Sequence, residues 1–424
     1  MKKKLRTILV WTLVSLLLQF GAYSLLNNQV AKVLGPVSET NDPITKQLTA
    51  TIPGSDFENI QISYAKDYLA YTENGTLKVF NLKKEKMVFE KKLPTANDKT
   101  MGVLSYQWLP DRDTLVYFYA KKNPNPVTYV TVPVKSTTPS TTTPPKPTVP
   151  SVTPNPEDPN QKTDKQVQEV KQKEEVPIKT KTEARYGNPQ ITELYTLELP
   201  NSDEDTAPDD RFNHTINEFP AGGKIEELVV STSTNLIYLT IKNGSTELLM
   251  EIDVMKNVRI LNRTGETIDG MAASDRYGTL FINSKVSGNK QVVSLGVGKR
   301  QVISKNINDK VLGIRNGKVY IGEVENNELV KIKTTEDCSE MTDNPSLKTE
   351  WAGSIPFDNV STLIGSKGQI VINNQQIAYI ITAGQLKELQ LLGDENYISD
   401  DGAELIQLTR SGTSSLVELE PIKY

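Results

Sequence analysis

One unit recurs along this chain and constrains its fold more than any other feature. It is a strand, a polar turn, a second strand rich in aromatic and aliphatic residues, a tight turn, and a third strand. The unit runs over residues 62–80 (ISYAKDYLAYTENGTLKVF) and 106–119 (YQWLPDRDTLVYFY), the latter resuming at 193–199. It returns at 228–252, 271–295, 311–332, 363–391 and 397–419. Apolar/polar alternation and β-branched or aromatic enrichment mark the strands. Asn74-Gly75, Asn243-Gly244, Ser287-Gly288, Asn316-Gly317, Asp401-Gly402 and Ser411-Gly412 mark the turns. One such unit cannot bury both faces of its own sheet, whereas stacked copies can. Setting aside about 45 N-terminal and about 65 inserted residues leaves about 310, or about seven units of roughly 40–45 residues. The sequence therefore predicts an all-β fold, a ring of six to eight four-stranded blades that leaves only short edges exposed. Tandem β-sandwiches are the alternative.

Three units also carry a family resemblance. They are Trp108-Leu109-Pro110-Asp111-Arg112-Asp113-Thr114-Leu115-Val116-Tyr117 with Glu193-Leu194-Tyr195, the run 63–71 (SYAKDYLAY), and Ser399-Asp400-Asp401-Gly402. These resemble TolB-type and WD-like β-propeller repeats, whose hallmark is S-P-D-G-x-x-L-A-Y followed by a strand like ELYxxDL. The Gly-His and Trp-Asp pairs of true WD repeats are missing. The resemblance implies a β-propeller over 46–424 in which an N-terminal strand closes the ring. Residues 47–52 (QLTATI) are placed to complete the last unit, 397–419.

A long interruption, 121–188, is Pro/Thr/Ser-rich in its middle and Lys/Glu/Gln-rich after that. Such composition cannot bury enough apolar surface to offset its ordering entropy, so it is expected to be disordered or polyproline-like. TLVYFY (114–119) before it and QITELYTLEL (190–199) after it have matching alternation. They are expected to pair, which makes the interruption an insertion in a hairpin loop. The cost of closing such a loop grows only logarithmically with length.

The N-terminus is a separate signal. Lys2, Lys3, Lys4 and Arg6 precede an apolar run over 7–26 (TILVWTLVSLLLQFGAYSLL). About 20 such residues span the ~30 Å hydrocarbon core as a helix, and the basic cluster sets the N-terminus inside. The expected order is a cytoplasmic stub (1–6), a transmembrane signal-anchor (7–26), a stalk (27–45) and an extracytoplasmic propeller (46–424). The rival is a signal peptide cleaved at Ala22-Tyr23-Ser24, which would release a secreted chain. Both place the propeller outside the cytoplasm. One Cys in 424 residues leaves no intrachain disulfide, which fits an exported bacterial protein better than a eukaryotic secreted one.

Few residues promise chemistry. Neither G-x-S-x-G nor a phosphate-binding G-x-x-x-x-G-K-[ST] is found, and Gly296-Val297-Gly298 reads as a turn. His214 reads as a solvated residue of a polar loop, and Cys338 as a plain thiol. Asp203-Glu204-Asp205 with Asp209-Asp210, and Asp394-Glu395 with Asp400-Asp401, lack calcium-loop spacing and read as solvated loop charge. Trp108 and Trp351 are assigned to packing between blades rather than to stacking a ligand. No catalytic residue, metal site or cofactor is expected. A net charge of −4, from 48 basic and 52 acidic side chains, argues against nucleic acid. The expected function is a membrane-anchored binding or scaffold module of the bacterial envelope with a protein or cell-wall partner. The alternative is a carbohydrate-active propeller hydrolase or lyase at the cell surface.

Overall fold

A computed structural model describes Gln19 and residues 43–94, 101–133, 180–296 and 298–423. The anchor or signal segment (7–26), most of the stalk and the middle of the insertion lie outside the described residues. Among the described residues no helix is long and apolar enough to cross a membrane.

Among the described residues, thirty strands build seven four-stranded antiparallel sheets and one two-stranded ribbon. Strand β1 (Leu48–Pro53) comes first. Blade 1 follows as β2 (Glu58–Ile62), β3 (Tyr68–Glu73), β4 (Thr76–Asn81) and β5 (Lys86–Lys91). Blade 2 begins with β6 (Gly102–Trp108) and β7 (Thr114–Lys122). The ribbon β8 (Val127–Pro133) and β9 (Thr180–Tyr186) intervenes, and β10 (Gln190–Glu198) and β11 (Asp209–Ile216) complete the blade. Blade 3 is β12 (Lys224–Ser231), β13 (Leu236–Asn243), β14 (Thr246–Ile252) and β15 (Val258–Ile260). Blade 4 is β16 (Glu266–Ala273), β17 (Leu280–Val286), β18 (Asn289–Gly296) and β19 (Lys299–Ser304). Blade 5 is β20 (Asp309–Arg315), β21 (Lys318–Glu325), β22 (Glu328–Glu336) and β23 (Lys348–Pro356). Blade 6 is β24 (Ser361–Ile364), β25 (Ile370–Asn373), β26 (Ile377–Thr382) and β27 (Gln385–Gln390). Blade 7 is β28 (Glu395–Ile398), β29 (Glu404–Ser411) and β30 (Ser414–Pro421), with β1 as its fourth strand.

The fold is a seven-bladed β-propeller. Every repeat seen in the sequence is one blade. Strand β1 pairs with β30, Leu48 opposite Leu419 and Pro53 opposite Ser414, so the ring is closed by its own N-terminal strand.

Alternation along the strands explains the ring. In β3, Leu69 and Tyr71 pack against blade 7, while Tyr68 and Ala70 pack against blade 2. The same division repeats in every blade, giving seven apolar clusters, one between each neighbouring pair. A sheet with two apolar faces is stable only with a neighbour on each side, and a closed ring provides that for all seven. Trp108 and Trp351 lie in two of these clusters, as packing requires.

Side chains also tie blade to blade where the innermost strands bulge. Gln61 Oε1 accepts from Trp108 N, Asn283 Oδ1 from Val311 N at 2.7 Å, and Glu247 Oε1 from Ile268 N at 2.8 Å. At the perimeter, Lys91 of β5 reaches over the rings of Tyr117, Tyr119 and Tyr195 in blade 2, its Nζ 4.1 Å from the Tyr195 centroid. Its ammonium also pairs with Asp210 at 2.9 Å. This cation–π staple has no motif and was not foreseen from the sequence.

Strand β7 pairs with β10, Thr114 opposite Glu198 and Lys122 opposite Gln190, so the interruption is indeed a hairpin insertion. Its flanks are more ordered than composition implies. Strand β7 continues to Lys122, and β8 pairs with β9 in full register from Val127–Tyr186 to Pro133–Thr180. Alternating Val, Tyr and Thr in VTYVTVP supply the strand propensity that the Pro/Thr-rich average conceals. The described residues within 124–189 form a unit of their own. Deleting 134–179 and joining the ribbon by a short Gly/Ser turn should leave the melting temperature within about 3 °C of the parent. A loss of more than about 10 °C in a thermal melt would contradict an insertion independent of the ring.

Candidate functional site

The turns joining the first and second strands of the blades gather at one end of the ring. The sequence makes them alike. In blades 1, 4 and 7 a fully buried serine opens the turn: Ser63, Ser274 and Ser399. Each backbone N–H closes the turn onto a residue five positions on, at 2.8–3.0 Å. Each hydroxyl accepts a backbone N–H of the same turn, from Tyr68, Tyr277 and Glu404 respectively. The aspartates of these turns lock neighbouring blades. Asp113 accepts from Ala65 N at 2.8 Å, and Asp275 from Thr232 N at 3.1 Å. Asp401 accepts from Ala403 N and from Ser399 Oγ, and its carbonyl takes Ser366 N. Asn316 Nδ2 in turn donates to the Ser366 carbonyl at 2.9 Å.

Lys66 departs from the repeat. It occupies the position that Gly402 holds in blade 7, and both residues have positive φ, 64° and 70°. A lysine in that left-handed conformation is uncommon and costs backbone energy. There its ammonium, almost wholly buried, crosses the ring closure to Asp401 at 2.9 Å.

A small cavity, open to solvent, lies among these turns. Ser63, Tyr64, Lys66, Trp108, Pro110, Arg315, Asp400 and Asp401 line it, from blades 1, 2, 5 and 7. Lys66 and Asp401 are spent on one another. The buried Nε of Arg315 has no hydrogen-bond partner. The Asp400 side chain reaches water yet is walled by protein, and this desolvation pushes its carboxyl upward, Asp401 adding to it and Lys66 and Arg315 opposing. Arg315 ends β20, just before the Asn316-Gly317 turn, and no motif marks it. Its role was invisible in the sequence because it depends on which blades the closed ring brings face to face.

The residues singled out from sequence fall as follows. His214 is in strand β11 opposite Leu194 and half-buried, not in a loop. Strand β11 pairs with β10 and extends blade 2 outward, with half of its side chains exposed. Cys338 is partly buried, its Sγ 3.5 Å from the Glu340 carbonyl, and burial pushes the thiol upward. The hairpin between β18 and β19 turns at Gly298, with φ of 67°.

The acidic clusters are largely solvated, and they make surface ion pairs. Asp203 and Asp205 pair with Lys83 and Lys84 of blade 1, and Asp210 pairs with Lys91. Asp394 Oδ2 accepts from Arg410 N at 2.7 Å, and Glu395 pairs with the Arg410 side chain. Sequence spacing hid these partners, which come from other strands or another blade. The Glu227 carboxyl is pushed up to about 7, chiefly by burial and then by Asp269. It accepts the backbone N–H of Met271, so it too acts as a tie between blades. Among the described residues no group of three or more His, Cys, Asp or Glu side chains is placed to hold a metal ion.

No protein-family model matches the chain, and no curated protein sequence does. Solved propellers resemble it at low identity. The Cps50 (Swd1) β-propeller domain of Myceliophteria thermophila is 9% identical with a TM-score of 0.46, covering 88% of this chain and 98% of that one. The WD40 domain of SCAP from fission yeast is 10% identical with a TM-score of 0.41, covering 88% and 94%. A prolyl endopeptidase structure is 12% identical with a TM-score of 0.42, covering 83% of this chain and 46% of that one.

Proposed function

We propose that this propeller is a binding module of the bacterial cell envelope, anchored through its N-terminal apolar segment and engaging a protein partner at the serine-turn face. One observation carries this. Arg315 and Asp400, opposite in charge, line one cavity on this face, and the buried Nε of Arg315 has no hydrogen-bond partner. A rigid ring with a few uncommitted polar groups suits recognition, because little ordering is required on binding. The guanidinium supplies donors for a partner's carboxylate or carbonyl oxygens, and the Asp400 carboxyl supplies an acceptor.

The location is tested by labelling intact cells that make the protein. Ser287→Cys, in a Cys338→Ser background, places a thiol on the β17–β18 turn, at the end of the ring away from the cavity. A membrane-impermeant maleimide should label it fully without lysis, and the labelled chain should sediment with membranes. Labelling only after lysis would refute an extracytoplasmic propeller, and labelled chain in the medium would favour cleaved export.

A further inference from the structure

The ring is closed at one place, and a buried carboxylate sits on the closure. Glu404 opens β29 and lies opposite Pro421 of β30, while β1 flanks β30 on its other side. Lys46, two residues ahead of β1, donates its backbone N–H to Glu404 Oε1 at 2.6 Å. The Lys46 ammonium pairs with Asp67 Oδ1 of blade 1, and Asp67 Oδ2 accepts from Ser202 Oγ at 2.6 Å. The segment entering β1 is thus fastened to blades 7 and 1 together. Glu404 itself is wholly buried, and its Oε2 has no partner. A carboxylate oxygen without a donor is costly to keep ionised away from water, whereas a protonated one is far less so.

We propose that the ring closure is a proton-controlled latch, in which Lys46, Asp67 and Glu404 hold strand β1 in place while Glu404 carries a proton and release it when Glu404 ionises. The groups facing Glu404 are Lys46 ahead of β1, Lys66 from the β2–β3 turn and Asp401 from the β28–β29 turn, with Asp67 held behind Lys46. Burial is the largest influence and pushes the carboxyl from 4.5 to about 7; Asp401 adds to it, and the Lys46 N–H, Lys66 and the Lys46 ammonium oppose it. The sign follows. A carboxyl raised in the closed form binds its proton more tightly there than when opened to water, so closure is strongest at low pH. Closure weakens as pH rises through the interval between those two values and levels off above about 7. Release also bares the outer edge of β30, whose free backbone groups can pair with another strand.

Hydrogen exchange of the full chain tests this. Protection of the peptide spanning 46–54, corrected for intrinsic exchange rates, should fall about tenfold between pH 6 and pH 8. The outermost strand of blade 6, β27, should show no comparable fall. Glu404→Gln, which mimics the protonated form, should keep residues 46–54 protected at both pH values. Equal change in the two strands of the wild type would overturn the latch without recourse to any variant. So would an undiminished fall in Glu404→Gln.

Discussion

A chain beginning at Gly54 is expected to lose cooperative unfolding altogether. Strand β1 contributes Ala50 and Ile52 to the cluster between blades 7 and 1, Ile52 being fully buried. Without it, Val417 and Leu419 of β30 lose their cover and the edge of blade 7 is left open. Truncating a buried isoleucine to alanine typically costs about 2–5 kcal/mol, and here a whole ladder goes as well. That is comparable to the entire stability of a domain, roughly 5–15 kcal/mol. Urea titration followed by tryptophan fluorescence should give a steep transition for the parent and a shallow or absent one for the truncated chain. Ile52→Ala should lower the parent's stability by about 2–5 kcal/mol. An unchanged midpoint in the truncated chain would show that β1 does not close the ring.

Trp108→Ala should be the most damaging single substitution in the first two blades. The indole is 1% exposed, packed between blades 1 and 2 with Tyr68, Val79, Leu115 and Tyr117. Its Nε1–H donates to the Gln61 carbonyl at 3.3 Å. Deleting it leaves a cavity that a ring fixed on both sides cannot collapse to fill, so a cost of about 3–5 kcal/mol is expected. Trp108→Phe keeps most of the volume and should cost less than half as much. Calorimetry comparing the two would settle whether the residue acts by volume, as packing requires. Equal, small losses from both would mean that the site relaxes and that the blades are not rigidly seated.

The sequence and the structure agree most where the physics is local. Two-residue turns with Gly at positive φ and period-two alternation are local, and they placed all seven blades. The closing strand was expected through the family resemblance, in which an N-terminal strand completes the last blade, and QLTATI fills that place. What was not legible is whatever the ring brings together from a distance. Arg315 and Asp400 share a cavity only because blades 5 and 7 both face the axis. Glu404 reads as one more charged strand residue until β1 returns beside β30 and buries it. The acidic loops are solvated as expected, but their lysine partners lie on another blade, about 120 positions away for Asp203 and Lys83, where sequence spacing cannot show them. Composition misjudged the ribbon for a related reason: averaging over the insertion hid two seven-residue strands at its ends.

The most direct test of the binding reading is photo-crosslinking in cells that make the full chain. A photoreactive residue replaces Tyr64 at the cavity or Asn289 at the opposite end of the ring. The account predicts a discrete crosslinked species from position 64, weakened by Arg315→Ala, and none from position 289. Crosslinks from 289 alone, or none from 64 while the protein is folded and on the membrane, would contradict it.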